Sequence, residues 1–375
     1  MRGIPQTVLL SLLLTALPAA GSPAAPRPDP PKVTAKAAVL MECLTGQILW
    51  ARNPHLALPP ASTTKIMTVL LALENASLAK AVTVSKAAGE ADGSSIWLEA
   101  GERRSLEELV YGAMLNSGND ACVAIAEAVA GREASFARLM NARARRLGAR
   151  DTHFVNASGL PAAGHRSSAY DLALIAREAL ANPIFAEVVR TKVRNIPWPG
   201  KDWDRRLINH NKLLWRYSGA DGVKTGYTRE SGHCLVASAT RGGRRLIAVV
   251  LDADRIYDDT SAMLDYGFTR FCLVKPKRGL VRNLPVLGGE KRAVAVRAEG
   301  RLAYAVPRGE EGGMVFTVRC PSRVQAPVAK GQKLGTICLY QRGRLRARVP
   351  LVAAAPVKPR GLLWALASFV LRFFV

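Results

Sequence analysis

The sequence predicts an α+β protein: an antiparallel sheet with helices packed against it, followed by a small all-β domain. Three observations predict it. Strand-like runs stand at the start of the globular region and return between Gly222 and Leu251, with a helical stretch between them. Past Lys275 the texture changes to short strands set among Gly, Pro and charged turns. The chain of 375 residues is long enough for one large domain and one smaller one, each with its own core.

Taken in order, residues 1–22 have the form of a secretory leader. Arg2 supplies the positive end, Val8 to Leu17 the short apolar run, and Ala19, Ala20, Gly21 and Ser22 the small residues that follow. Residues 23–34, rich in Pro and Ala, break any helix and read as a linker. The first large domain is expected over residues 35–273. Ala37 to Met41 and Gln47 to Ala51 form a hairpin that turns at Leu44, Thr45 and Gly46. Helices are expected over Thr64–Glu74, Ser105–Leu115, Asp120–Ala130, Ser135–Leu147 and Asp171–Ala181. Three strands follow, Gly222–Tyr227, His233–Thr240 and Arg245–Leu251, and a helix over Asp258–Tyr266 closes the domain. One sheet assembled from both ends of this region, with the helices against it, is the simplest packing.

Residues 274–355 are expected to form the all-β domain, with strands at Ala293–Arg297, Met314–Arg319, Lys333–Tyr340 and Leu345–Val349. Residues 356–375 begin with prolines and end in the apolar segment Gly361–Val375, too short to span a bilayer. Ala365, Ser368 and Arg372 share one helical face and Leu362, Leu366, Phe369, Val370 and Phe373 the other, the pattern of an interfacial membrane-anchor helix. Docking on the protein's own core is the alternative.

The net charge is +24. Roughly fifteen of these positive charges fall between Lys275 and Arg360. No nucleic-acid motif accompanies them, so an anionic lipid or wall polymer is the better match, with a solvated basic face as the plain alternative. The six cysteines fit no zinc spacing. Cys43, Cys122, Cys234 and Cys272 lie in apolar runs and read as buried thiols, while Cys320 and Cys338 are the expected disulfide. The five histidines show no metal-ligand spacing and read as loop or surface residues.

Three constellations carry chemistry. In the first, Pro60 to Thr68, Ser62 stands where an apolar helix begins; alone it is an ordinary N-cap. Lys65 follows at i+3, on the same helical face. Ile66, Val69 and Leu70 would bury its stem, and a desolvated lysine is driven toward its neutral form. A neutral Lys65 can take the Ser62 proton and leave a nucleophile. In the second, Asn116-Ser117-Gly118-Asn119-Asp120, a polar loop capped by Asp120 is the plain reading. The functional one has Ser117 relaying a proton and Asn119 binding a substrate amide. In the third, Asp221 to Tyr227, Lys224 and Thr225 offer a charge and a hydroxyl to a carboxylate along a strand edge. The amides of Ser62 and Tyr227 suit an oxyanion hole.

Together and in this order, S-x-x-K, S-G-N and K-T-G resemble the penicillin-recognising serine enzymes, specifically the low-molecular-mass D-alanyl-D-alanine carboxypeptidases. Asn156 to Leu160, His165 to Leu172, Asn209 to Asn211 and Ser231 to Ser238 add to the resemblance, which runs from about Ala37 to Phe271. It implies a β-lactamase/transpeptidase-like domain that removes the terminal D-alanine of peptidoglycan stem pentapeptides. Ser62 would be acylated, Lys65 would be the base and Ser117 the relay. Asn119, Lys224, Thr225, Gly226 and the Tyr227 backbone would bind substrate. No metal or cofactor is implied, and β-lactam antibiotics would inhibit. The protein would be exported and held at the extracytoplasmic membrane face, with the β domain as a spacer. Tyr227 stands where many relatives carry His, and Arg255 is the substitute for a second arginine that some relatives use. The rival readings are a β-lactamase-like hydrolase, for which Glu178 with Asn182 is the nearest candidate pair; a D,D-endopeptidase or transpeptidase on the same site; and a non-catalytic binding protein.

Overall fold

The computed structural model describes residues 10–12, 29–276 and 282–360. The chain divides at Arg270 and Phe271 into two compact units, Pro28–Arg270 and the part from Phe271 onward together with the short strand Leu10–Leu12.

The first unit is built on a five-stranded antiparallel sheet. Its strands are β1 (Ala37–Glu42), β2 (Ile48–Arg52), β3 (Ala220–Thr228), β4 (Gly232–Arg241) and β5 (Arg244–Leu251), in the order β2-β1-β5-β4-β3. β1 pairs with β5 from Ala37↔Leu251 to Glu42↔Leu246, so the two ends of the unit meet in its middle. Both faces of these central strands are covered. Val39 and Met41 enter one core, Ala38 and Leu40 the other. A strand buried on both sides reads as a continuous apolar run, without alternation.

On one face lie α1 (Lys65–Asn75), α2 (Leu106–Leu115), α3 (Asn119–Ala130), α4 (Glu133–Leu147), α5 (Ala169–Ala179) and α6 (Pro183–Arg190). α7 (Ile256–Arg270) covers the other face through Met263 and Leu264. α1 is the central helix: every residue from Lys65 to Ala72 is buried. Ser105 caps α2 in a reciprocal pair with Glu108, worth about 1 kcal/mol. The sequence reading placed each of these helices to within a few residues except α6. That helix starts with Asn182 as N-cap and Pro183 at the first position, a start signal that directly follows the helix expected over Asp171–Ala181. α7 extends beyond the expected Asp258–Tyr266 at both ends.

Among its described residues the second unit is all β. A seven-stranded sheet contains the four expected strands and adds Arg282–Leu287, Val324–Gln325 and Leu10–Leu12, the last paired with Phe316–Val318. Phe271–Val274 pairs with Tyr304–Pro307. The expected Cys320–Cys338 disulfide is absent; all six cysteines are thiols. Strand alternation explains it. Val318 pairs with Ile337, and Val318 and Cys320 share one apolar cluster. Cys338, the neighbour of Ile337 along its strand, points to the opposite face. Of the other four, Cys122 and Cys234 are buried, whereas Cys43 and Cys272 are only partly so.

Except for Leu10–Leu12, the expected leader lies outside the described residues, as does the expected helix over Gly361–Val375. Among the described residues no helix is long and apolar enough to cross a membrane.

Candidate active site

The first constellation folds as a single 3₁₀ turn, Ala61–Thr64, that runs into α1. Ser62 is therefore not a side-chain cap. It sits half-buried at the lip of a cleft, on a turn that Ala61 enters at φ 46°. Thr63 Oγ1 closes the turn by donating to Pro60 O at 2.6 Å. Gly159 packs from behind, with no room for a Cβ against the Ala61 carbonyl.

Lys65 is fully buried, and its Nζ has three partners. Ser62 Oγ lies at 2.9 Å, and Nζ donates to Asn119 Oδ1 and to Ser158 O, both at 2.7 Å. Burial, the dominant cause, lowers its pKa to about 8. At neutral pH that raises the uncharged fraction from about one in three thousand to about one in ten. The partners then fix the orientation. Ser158 O accepts only, and Asn119 Oδ1 is held as an acceptor because Nδ2 donates to Asp92 O at 2.6 Å. A neutral amine has two hydrogens, which these two acceptors take, so its lone pair faces Ser62 Oγ.

β3 forms the opposite wall. It is an edge strand of the sheet, and Gly226 brings it against the Ser62 turn, where a Cβ would lie 3.0 Å from Ser62 N. Alternation sends Thr225 and Tyr227 toward the cleft and Lys224 inward. Lys224 is 2% exposed and donates to Thr225 O at 3.0 Å. Burial first, and the Lys65 charge second, lower its pKa to about 7. The expectation of a lysine offered directly at the strand edge is thus replaced by a cation beneath it. Tyr227 is exposed and stacks on His233 with ring centroids 4.4 Å apart.

The second constellation lies between α2 and α3. Ser117 takes φ 63° and is 4% exposed, and its Oγ has no hydrogen-bond partner. A buried hydroxyl of this kind has its donor and acceptor capacity available to a ligand. Asn119 is committed to Lys65 and Asp92, which leaves the second Nδ2 hydrogen for a substrate amide. Asp120 is not the cap of α3, whose N-cap is Gly118 without a side-chain bond; it lies in the first turn, accepts from Ile96 N, Leu98 N and Ser95 Oγ, and pins the loop that carries Ser94 to the cleft wall. The cleft encloses about 660 Å³, lined by Ser62, Ser117, Thr225, His210, Arg216 and Arg255 among others. Arg255 is exposed at its far wall.

Several supports lie outside the three constellations. His165, expected on the surface, is 6% exposed. Nδ1 accepts from Val155 N, so Nε2 carries the hydrogen and donates to Thr64 Oγ1 at 2.9 Å. Burial, then His153, lowers its pKa to about 4, which keeps it neutral under the turn. Asn211 Nδ2 donates to Gly222 O, while Asn209 Nδ2 donates to Val189 O and Thr191 O, so the two asparagines brace the base of β3. The stretch Asn209 to Asn211 stood out in the sequence for its resemblance alone, with no role attached. Glu178 and Asn182, the candidate pair of the β-lactamase-like reading, are engaged elsewhere: Glu178 pairs with Arg143 at 2.6 Å and Asn182 caps α6. Among the described residues no group of three or more His, Cys, Asp or Glu is placed to hold a metal.

Comparison with known proteins gives matches over both units. A family model described as D-alanyl-D-alanine carboxypeptidase matches residues 24–255, and a second, described as penicillin-binding protein 5, C-terminal domain, matches residues 275–359. The chain is 35% identical over 342 residues to the D-alanyl-D-alanine carboxypeptidase DacF of Bacillus subtilis, covering 88% of this chain and 87% of that protein. It is 36% identical over 361 residues to DacD of Salmonella typhimurium, covering 91% of each. The crystal structure of penicillin binding protein 5 from Haemophilus influenzae superposes with a TM-score of 0.74 at 30% identity, covering 88% of this chain and 99% of that one.

Proposed function

The chain belongs to the D-alanyl-D-alanine carboxypeptidase family and is a penicillin-binding serine D,D-carboxypeptidase; on this premise we propose that Ser62 is its acylated nucleophile and Lys65 the base that activates it. The observation that carries the assignment is the orientation of Lys65, whose two carbonyl partners leave the lone pair facing Ser62 Oγ. A peptide ending in D-Ala-D-Ala adds along β3, its carboxylate toward Thr225, with Lys224 beneath and Arg255 across the cleft. Ser62 Oγ attacks the carbonyl of the penultimate residue and Lys65 takes its proton. The amides of Ser62 and Tyr227 stabilise the oxyanion. Ser117 passes the proton to the departing D-alanine amine. Water, activated by the same lysine, hydrolyses the acyl-enzyme. β-Lactams enter by the same attack and are held as the ester.

Residues 1–22 would direct export, residues 274–355 form the spacer, and residues 356–375 anchor the protein to the outer face of the cell membrane. The basic second unit is suited to an anionic surface.

The test is mass spectrometry of the protein after incubation with benzylpenicillin, with the adduct mapped to a peptide. A single adduct on Ser62 is expected, together with loss of D-alanine release in Ser62→Ala. An adduct on another residue, or wild-type release by the variant, overturns the assignment.

A further inference from the structure

Three tryptophans stand at the surface of the first unit with no part in the catalytic scheme. Trp97 and Trp203 are each 62% exposed. Trp198 is half-buried, and its ring lies within 17° of parallel to that of Trp97, with centroids 6.3 Å apart. We propose that these rings form a shelf for the sugar rings of the glycan strand that bears the stem peptides. This rests on the catalytic reading above and extends it from the reacting peptide to the polymer that carries it.

Preorganisation is the first argument. Trp97 takes φ 57°, a backbone angle that bulky side chains disfavour, and still turns its ring to water. Neither feature serves the core. The surrounding backbone is nonetheless fixed. Trp97 N donates to Ser95 Oγ at 2.7 Å, Ile96 N and Leu98 N on either side donate to Asp120, and Trp97 O accepts from Arg205 Nη2 at 2.7 Å. Arg205 is 2% exposed, pairs with Glu102 and lies over the Trp198 ring, its guanidinium carbon 4.6 Å from the centroid. Glu102 also pairs with Arg104, which donates to the carbonyl of Pro197, next to Trp198. One buried ion network therefore holds the segments of both tryptophans. A ring held in place before contact loses little entropy on binding.

Position is the second. Trp97 follows Ser94, which lines the cleft, by three residues, or at most about 11 Å of chain. Trp198 and Trp203 lie in the turn of the hairpin Val193–Ile196 and Arg205–Ile208, and His210, just past that hairpin, lines the cleft as well. The segments that carry the shelf thus run on into the cleft wall. A glycan strand is longer than the one stem peptide that the cleft takes, so it extends over the surface beside it. Chemistry is the third. A sugar ring has an apolar C–H face and a rim of hydroxyls, and the flat face of a tryptophan complements the first. Glu99, Lys201, Asp202 and Asp204, all exposed and close to the tryptophans along the chain, offer acceptors and a donor to the second. Three carboxylates among these four side chains also disfavour an anionic bilayer as the occupant.

The test measures D-alanine release by the full chain from two substrates with the same pentapeptide, the free peptide and the insoluble wall polymer. Trp97→Ala and Trp203→Ala should each lower release from the polymer about fivefold, the size of one lost aromatic contact, with the free peptide and benzylpenicillin acylation within about twofold of wild type. Trp97→Phe should restore most of the polymer rate. Glycan strands stripped of peptide should bind the wild type, and bind each alanine variant about fivefold more weakly. A polymer-to-peptide ratio unchanged in both variants, or stripped strands that do not bind the wild type, would overturn the shelf. Benzylpenicillin acylation of Ser62 would stand in either case, which separates this failure from a failure of the catalytic reading. Weaker binding of the variants to phosphatidylglycerol vesicles, with strand binding unchanged, would overturn the shelf in favour of a lipid contact.

Discussion

Gly159→Ala should disable acylation with little loss of fold, because the new methyl group lands on the nucleophile turn. The residue takes φ +88°, and an added Cβ would overlap the Ala61 carbonyl outright and lie 2.9 Å from Thr64 Oγ1. Both neighbours belong to the turn that presents Ser62, and Thr64 is held from below by His165. The methyl is bonded directly to the backbone and has no torsion by which to escape, so the turn must retreat. A displacement on the order of 1 Å at a reacting group lowers rates about a hundredfold. The left-handed backbone adds about 1–2 kcal/mol of destabilisation for a residue with a Cβ. Gly148→Ala separates the two effects. It has nearly the same backbone, φ +81°, but its Cβ would meet nothing within 4 Å. Acylation by a fluorescent penicillin, read beside urea unfolding, should show both variants modestly destabilised and only Gly159→Ala slow to acylate. If folded Gly159→Ala acylated within threefold of wild type, the close packing described behind Ser62 would be wrong.

The buried amines give two further predictions. Acylation should rise about tenfold per pH unit and level off above about pH 8, as Lys65 loses its proton, whereas KM for a peptide should climb above about pH 7 as Lys224 loses its charge; rates that are flat from pH 6 to 9 would exclude Lys65 as the base. Stability should also respond. Both lysines have folded-state pKa values below their ordinary 10.5, so above about pH 7 the unfolded chain binds more protons and stability grows with pH. The buried Cys122 and Cys234 thiols, pushed up to about 12 and about 11 from 9.0, offset this gain once unfolded thiols ionise, and the slope turns negative as the unfolded lysines also lose their protons. The urea midpoint should therefore rise from pH 7 to about 9, flatten, and turn over above about pH 10; a midpoint that falls from pH 7 to 9 would contradict the burial of both amines.

Much of the site was legible because local spacing carries it. Ser62 and Lys65 share a helical turn, and Thr225 to Tyr227 share a strand, so i+3 and period-2 reasoning reach them directly. What the sequence hid was everything set by partners distant along the chain. Lys224 looked like an edge cation because strand direction alone does not say which face is buried. His165 looked like a loop residue because its partners, Thr64 and Val155, come from separate segments. Asn119 was expected to serve substrate, yet its oxygen is committed to Lys65, a partner 54 positions away. The Cys320–Cys338 pairing failed for a related reason: facing is decided by register with a neighbouring strand, which spacing along one strand does not contain.

The features that resist sequence reasoning are also those that make the site reactive. Two lysines are buried close enough for the charge of one to lower the pKa of the other, Ala61 and Ser117 take backbone angles that L-residues disfavour, and the Ser117 hydroxyl is left without a partner. Each arrangement is unfavourable by itself and persists only because its surroundings over-determine it: the seven buried residues that follow it in α1 fix Lys65, three donors of the loop beside Ser117 (Ser95 Oγ, Ile96 N and Leu98 N) are held by Asp120, and Gly226 and Gly159 hold the turn from two sides. Repulsion between the buried amines is mutual, so a proton leaving either one makes the other easier to charge. On the proposed binding mode, the carboxylate of an arriving substrate would favour the charge on Lys224, and a charged Lys224 would in turn favour a neutral Lys65. On the proposed roles of Lys224 and Lys65, substrate binding and activation of Ser62 would be coupled through this one electrostatic interaction.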